Sequence, residues 1–270
     1  MIVNASAFQR IVLTYFNKYG RNLPWRNTDD EYLIFVSEIM LQQTQVARVL
    51  EKYRPFVSRF RDFGELRAAS QSDILSLWQG LGYNRRCIYL KKSAAKICEE
   101  YSGRLPESEM LLRSLPGVGT ATARSLLAFC FNRPVVFLET NIRQVFIHHF
   151  FQGRETVHDR DLRLLVESTL DYDNPREWYY ALMDYGTMLK KRIGNITKRS
   201  VCYRPAGPFE GSMRQLRGAV LKLLLSHRTL TEEAFVELTG TTREKIRDVL
   251  AQLEHEGFLQ KKECDYSLRE

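Results

Sequence analysis

Two glutamates stand where a solvated carboxylate is hard to explain. Glu38 lies in an apolar-periodic stretch, 31–51, among Leu33, Ile34, Val36, Met40 and Leu41. Glu139 directly follows the buried-looking run Pro134-Val-Val-Phe-Leu138. A carboxyl enclosed by apolar side chains loses hydration in its charged form, so its pKa rises and it keeps a proton to deliver near neutral pH. Two carboxyls in different surroundings can divide the work, one as acid and one as a stabilising anion. The competing readings are ordinary. Glu38 would be a solvated helix residue, and Glu139 an acid at a helix start, where the macrodipole favours negative charge.

A second stretch, "SLPGVGTATARSLLAF" (Ser114–Phe129), turns at Pro116 and Gly117 and opens a helix at Thr120 after Gly119. Its glycines allow close backbone approach, and the N–H groups of the new helix's first turn point outward, a geometry suited to phosphate. Leu115, Gly117, Val118, Gly119 and Thr120 are the candidate phosphate-binding residues, and the turn 115–119 is also a candidate seat for a monovalent cation. A helix-hairpin-helix of this kind grips a nucleic-acid backbone without reading bases. Glycine turns between helices also occur for geometry alone.

The elements that would carry these residues are helical. Apolar residues recur at three-and-four spacing over 5–19, 31–51, 64–69, 71–79, 85–101, 107–113, 118–131, 141–151, 158–170 and 175–190. No alternating strand is evident before residue 200, so the expected fold class is all-α. The stretch 190–217 is strongly basic, with Lys190, Lys191, Arg192, Lys198, Arg199, Arg204, Arg214 and Arg217 against Glu210. It reads equally as a phosphate-tracking strap and as a solvated tether. Beyond it, a helix at 213–226, a helix start at Thr231 and an apolar face of Ile246, Val249, Leu250, Leu253 and Phe258 precede a tail that alternates like a hairpin. Three helices and a hairpin resemble a winged helix, whose third helix, with Arg243, Lys245 and Arg247, would meet DNA. The alternative is that this module packs on the first domain or on a partner protein.

Composition narrows the classes. A net charge of +8, from 40 basic and 32 acidic residues, points to an anionic partner. No apolar run approaches membrane-spanning length, and the N-terminus lacks the signature of a signal peptide. Five scattered cysteines without a CxxC fit reduced thiols in the cytoplasm and argue against a metal centre.

"LPWR" (Leu23–Arg26), "SEIMLQQTQV" (Ser37–Val46), "LWQGLGY" (Leu77–Tyr83), "LPGVG" (Leu115–Gly119) and "ALMDYG" (Ala181–Gly186) follow one another as in a known family. Over residues 8–190 the chain resembles the helix-hairpin-helix DNA glycosylases, in their adenine-DNA glycosylase (MutY-like) branch. That resemblance implies rotation of a nucleotide out of the duplex and hydrolysis of its N-glycosidic bond through an oxocarbenium-like state. It makes Glu38 the general acid and Glu139 the second carboxylate, with Asn141 beside it. It assigns Trp25, Arg26, Gln42, Gln43 and Asn84 to the base pocket or the duplex, and it leaves Trp25 equally open to core packing. It lets the hairpin residues with Lys190, Lys191, Arg192, Lys198 and Arg199 hold phosphates. Asp184 is expected to brace structure, and His148 and His149 are assigned no chemistry.

The sequence departs from the family in five places. Glu139-Thr140-Asn141-Ile142 replaces Asp-Gly-Asn-Val, which moves the carboxylate by roughly 1–1.5 Å, and a misplacement of about 1 Å can cost on the order of 100-fold in rate. Ala121 stands where lyase members carry lysine, so no Schiff base can form there. Asn84 replaces an aromatic wedge. The four-cysteine iron–sulfur loop is missing after "ALMDYG", where only Cys202 is present. The winged-helix-like module stands in place of the domain that inspects oxidised guanine.

The expectation is therefore a glycosylase domain over 1–190, with 30–133 as a helical domain carrying the hairpin and 1–29 plus 134–190 as a second subdomain. A basic linker, 191–211, and a winged-helix-like domain, 212–270, follow. The expected protein is a monomeric, cytoplasmic, nucleoid-associated monofunctional glycosylase without cofactor or metal. It would act on adenine or a damaged purine such as hypoxanthine in double-stranded DNA holding a mispaired or damaged base. Thymine or uracil opposite guanine is the alternative substrate, and a non-catalytic lesion- or structure-binding protein is the alternative class.

Overall fold

The computed structural model describes residues 4–205 and 207–270. Residues 1–3, at the head of the expected first segment, and residue 206, within the expected linker, lie outside the described residues.

Asn4 accepts a hydrogen bond from the Ala7 N–H (3.0 Å) and starts α1 (Ala5–Tyr19). After a 3₁₀ turn at Pro24–Arg26, Asp30 takes the N–H groups of Tyr32 and Leu33 and opens α2 (Glu31–Leu41). The expected helix 31–51 is two helices. Residues 42–45 are non-helical, with Gln43 at φ +54°, and α3 runs over Val46–Arg59. Glu38, Gln42 and Gln45 thus share no helical stripe, and Gln45 is the N-cap residue of α3.

Asp62 and Ser70 cap α4 (Phe63–Ala68) and α5 (Gln71–Trp78), and α6 covers Arg85–Glu100. The hairpin legs are α7 (Glu109–Arg113) and α8 (Thr120–Phe131). There follow α9 (Thr140–Phe150), α10 (Asp159–Ser168) and α11 (Pro175–Ile193), with Pro175 at the first position, where its missing N–H costs nothing. Ser212 caps α12 (Met213–His227), β1 (Thr229–Thr231) comes next, and Thr231 caps α13 (Glu232–Thr239). The chain ends with α14 (Arg243–His255), β2 (Leu259–Lys262) and β3 (Asp265–Leu268), in an antiparallel sheet of order β1-β3-β2. The molecule is predominantly helical, as the periodicity implies, and β1 is an addition.

Contact density separates two compact units. One holds the residues up to Glu38 with Leu105–Pro205, and the other holds Ile39–Arg104 with the C-terminal stretch ending at Glu270. This differs from the expected division. The hairpin groups with the residues after it, and the C-terminal elements group with α3–α6.

The first unit packs α1, α8, α9, α10 and α11 around Phe8, Phe129, Phe137, Phe146, Trp178 and Tyr179, each no more than 4% exposed. A Cβ added at Gly186 in α11 would lie 2.3 Å from the carbonyl oxygen of Asn141, so only glycine lets the two helices approach there. The chain after α11 is docked rather than loose. Buried Gln144 donates to the Gly194 carbonyl (2.8 Å) and accepts from the Ile196 N–H (3.2 Å). Val157 then exchanges backbone hydrogen bonds with Arg199 and Val201.

In the second unit, buried Arg86 explains the break after α2. Its guanidinium donates to the carbonyls of Ile39 (2.8 Å), Met40 (2.7 Å) and Gln42 (2.7 Å), which takes up carbonyls a longer helix would have bonded internally. It also reaches Thr44 Oγ1 (2.8 Å) and the Gly82 carbonyl (3.1 Å), tying the 42–44 turn to the glycine turn before α6. The C-terminal face Ile246, Val249, Leu250, Leu253 and Phe258 is buried, none of it above 1% exposed. Glu256 pairs with both Arg85 and Arg217, and Gln71 Nε2 donates to the Phe258 carbonyl (3.2 Å), so these elements are anchored to α5 and α6.

Candidate active site

Within the first unit the fold brings Glu38 and Glu139 into one electrostatic neighbourhood. Glu38 sits near the end of α2, and Glu139 is the N-cap residue of α9, extended at φ −117°. Both keep partial access to solvent, yet protein surrounds them densely enough for desolvation to dominate. Burial, followed by the charge of Glu139, raises the Glu38 pKa from 4.5 to about 8, against the opposing pull of a Ser125 hydrogen bond and of Arg26. Burial raises Glu139 as well, while the Arg143 guanidinium pulls it down. Two neighbouring carboxyls resist ionising together. Arg143 acts on Glu139 and Arg26 on Glu38, so the two carboxyls, both raised, stand in unequal surroundings.

Arg143 is itself fixed. Its Nε and Nη2 donate to the two oxygens of Asp159 (3.0 and 2.6 Å), a planar bidentate pair that steadies the first turn of α9. Asn141 lies on that same turn, and its backbone rests against Gly186.

Arg26 approaches Glu38 from the 3₁₀ turn. Its Nη1 and Nη2 donate to Asp184 (2.9 and 2.8 Å), and its guanidinium carbon lies 4.5 Å from the centre of the Tyr180 ring. Asp184 also accepts from the Arg21 backbone N–H (2.7 Å) and from Arg21 Nε (2.7 Å). Burial works to raise the Asp184 pKa, and the two arginines outweigh it and hold the carboxyl below its ordinary value. Asp184 is therefore a brace, and Arg26 a held cation. Trp25 is 3% exposed, in line with its packing reading.

The remaining candidates divide between the units. Gln42, Gln43 and Asn84 belong to the second unit, where Arg86 joins their two turns. Gln42 and Asn84 are half-buried, and Gln43 is exposed. In the hairpin, Leu115 and Val118 are buried anchors, while Gly117, at φ +78°, Gly119 and Thr120 are exposed, with open space in front of Gly119. Ala121 is exposed beside them.

Lys190, Lys191, Arg192 and Lys198 are exposed. Arg199 instead donates to the carbonyls of Phe151 and Arg154, Arg214 to Tyr83 Oη (3.0 Å), and Arg217 to Glu256 (2.6 Å). Much of the basic strap is thus structural. In α14, Arg243 and Arg247 pair with Glu232, and Arg243 also with Glu233. Ser125, Arg86 and Gln144 escaped the sequence reading because each acts on a residue far away in the chain.

Among the described residues no group of three or more His, Cys, Asp or Glu is disposed to hold a metal ion. A four-thiolate cluster does not fit the donor set. Cys202 follows the docked segment 196–201, Cys87 is buried and donates to the Asn84 carbonyl, and Cys264 belongs to the turn of the C-terminal hairpin. No helix among the described residues is long and apolar enough to cross a membrane.

Residues 36–167 match the family of HhH-GPD superfamily base excision DNA repair proteins, and the chain belongs to that superfamily. Within it, the chain is 32% identical over 187 residues to the adenine DNA glycosylase of Buchnera aphidicola subsp. Baizongia pistaciae, an alignment that covers 67% of this chain and 52% of that protein. It is 29% identical over 257 residues to the adenine DNA glycosylase of Mycobacterium tuberculosis, covering 88% and 84% of the two chains. A solved thermostable thymine-DNA glycosylase superposes with a TM-score of 0.62 at 28% identity, over 68% of this chain and 86% of that one. The chain spans about half the length of the first curated relatives it matches.

Proposed function

We propose that this protein is a monofunctional DNA glycosylase of base excision repair that hydrolyses the N-glycosidic bond of adenine, or of a damaged purine, rotated out of duplex DNA. The observation that carries the reading is the unequal carboxyl pair. Glu38, raised to about 8, holds its proton at neutral pH, and Glu139, raised by burial too, has the Arg143 guanidinium beside it to support a negative charge.

In the reaction Glu38 gives its proton to the leaving base as the electron pair of the glycosidic bond passes to the base nitrogen. The sugar left behind is an oxocarbenium-like cation, which the Glu139 anion stabilises. Water adds its oxygen to C1′, and its released proton returns to the carboxyl pair, restoring the starting state. Ala121 offers no amine, so the product is an abasic site and not a Schiff base.

Phosphates are held by the hairpin Leu115–Thr120, with a monovalent cation seated in its turn, and by Lys190, Lys191, Arg192 and Lys198. Gln42, Gln43 and Asn84 meet the base or the gap it leaves. The protein works as a monomer without an iron–sulfur cluster, and the docked segment after α11 supplies the bracing.

A second reading, thymine or uracil opposite guanine, draws on the likeness to the solved thymine-DNA glycosylase. Both readings face one experiment: base release from duplexes that each carry one mispair or lesion, with mass spectrometry naming the freed base. The wild type is expected to release adenine or a damaged purine, and Glu38→Gln nothing. Release of a pyrimidine establishes the second reading. Tight binding without release by the wild type would overturn both and leave a protein that recognises DNA without cutting it.

A further inference from the structure

One fully buried hydroxyl touches the proposed acid. Ser125, on α8, is 0% exposed, and its Oγ lies 2.6 Å from Glu38 Oε2 and 3.0 Å from the Thr122 carbonyl oxygen. A hydroxyl carries one proton and two lone pairs, so it cannot donate to both oxygens at once. When Glu38 is ionised, the hydroxyl donates to the carboxylate, a charge-assisted bond of the observed short length. When Glu38 holds a proton on Oε2, that proton is donated to Ser125 Oγ, and the serine's own proton turns to Thr122. A partner is present in both states, and no heavy atom has to move.

We infer that Ser125 is a positioning residue for Glu38, which pins Oε2 against α8 and gives the carboxylate left after proton transfer a short hydrogen bond. This inference rests on the assignment of Glu38 as the acid. Around Glu38, Glu139 at the start of α9 opposes its negative charge and Arg26 in the 3₁₀ turn supports it, while Tyr180 on α11 and Cys130 on α8 are held in their neutral forms by burial and by Glu38 itself. Burial and Glu139 together make proton release unfavourable. The Ser125 bond is the contact that favours the ionised form most strongly, and it stands ahead of Arg26 in that role. An acid that cannot release its proton is as useless as one that has already lost it, and Ser125 keeps Glu38 between those limits.

The test reads Glu38 itself. The wild type, Ser125→Ala and Ser125→Thr are labelled with ¹³C at the glutamate side-chain carboxyl, and each is titrated by NMR, with Glu38→Gln identifying the resonance. Loss of one charge-assisted bond should lower the Glu38 acidity constant about tenfold in Ser125→Ala, and the hydroxyl of Ser125→Thr should restore most of it. The alkaline limb of base release should move to higher pH in the same variant.

An unchanged or downward-shifted titration in Ser125→Ala would overturn the inference, as would a rate loss with no movement of the pH profile, which is what mere packing damage produces. If the alanine variant does not fold, Ser125→Cys, a weaker donor, is read in its place for a smaller rise in the same direction. The titration needs no base release, so failure of the glycosylase reading and failure of this inference are separate results.

Discussion

Replacing Asp184 by asparagine removes a charge and leaves the shape almost intact, and the structure sets the size of the consequence. The Asp184 side chain is 1% exposed and faces Arg26 at 6% and Arg21 at 30%. Arg21 can turn toward water when the carboxylate is lost, so its share of the cost is small. Arg26 cannot, because the Tyr180 ring and the 3₁₀ turn enclose it, and its Nε already lacks a hydrogen-bond partner among the described residues. Breaking a buried pair by removing one member costs about 3–5 kcal/mol, and with Arg21 discounted the lower end, about 3 kcal/mol, applies. For a chain of this size that is a fall in Tm of roughly 6–12 °C.

Thermal unfolding of wild type and Asp184→Asn followed by circular dichroism measures it. The double variant Asp184→Leu, Arg26→Met should recover part of the loss, because an apolar pair leaves no buried charge behind. The pH dependence has a fixed sign. The folded-state pKa of Asp184 lies below its ordinary value, so its contribution is complete above that ordinary value, near 4, and is lost as pH falls through the lower folded value. The gap between wild type and variant should therefore be constant from neutral pH down to about 5 and close in stronger acid. A Tm within 2 °C of the wild type, or a gap that widens on acidification, would refute the account of Arg26 as a cation held by Asp184.

Three further outcomes follow from the same geometry. Glu139→Gln should cut base release on the order of 100-fold and, by removing the neighbouring charge, move the alkaline limb set by Glu38 to lower pH, as rate profiles between pH 6 and 10 will show. An unmoved limb would mean that the two carboxyls do not interact. Gly186→Ala places a methyl 2.3 Å from the Asn141 carbonyl, so α9 must shift; a stability loss of about 1–3 kcal/mol in urea denaturation and a fall in kcat larger than the change in KM are expected. Arg86→Met strips the carbonyls of Ile39, Met40 and Gln42 of their donor; hydrogen exchange should rise at residues 39–45 and at 81–84, with a loss of about 3 kcal/mol or more in denaturation.

The periodic helices, the hairpin and both carboxyls were legible because each is announced locally. A helix writes its buried face at three-and-four spacing, and a glycine turn names its own geometry. The break after Leu41 was not legible, since apolar residues continue in phase through Val46, Val49 and Leu50 without Gly or Pro. What stops the helix is Arg86, more than forty residues later, and a guanidinium's choice of carbonyls leaves no periodic trace. Ser125 was equally silent, because a serine inside an apolar helix reads as tolerated polarity until Glu38 is placed beside it. The domain division differs for a related reason. Where α2 passes from one compact unit into the next, between Glu38 and Ile39, its periodicity runs on unbroken, and only contacts made by distant segments draw the line.

The same distinction governs the positive charge. From the sequence the basic residues of 190–217 are interchangeable, yet the structure sorts them by what their side chains already hold. Arg199, Arg214 and Arg217 have internal acceptors, and turning them outward would give up those hydrogen bonds, so they add little to phosphate affinity. Lys190, Lys191 and Arg192 stand exposed on the last turn of α11 and form no salt bridge among the described residues. The helix dipole favours cations there by a fraction of a kcal/mol each, but three adjacent like charges work against it. An anion brought to that end relieves the repulsion and keeps the dipole benefit, which gives these three, more than the rest of the strap, the physical properties of a phosphate contact.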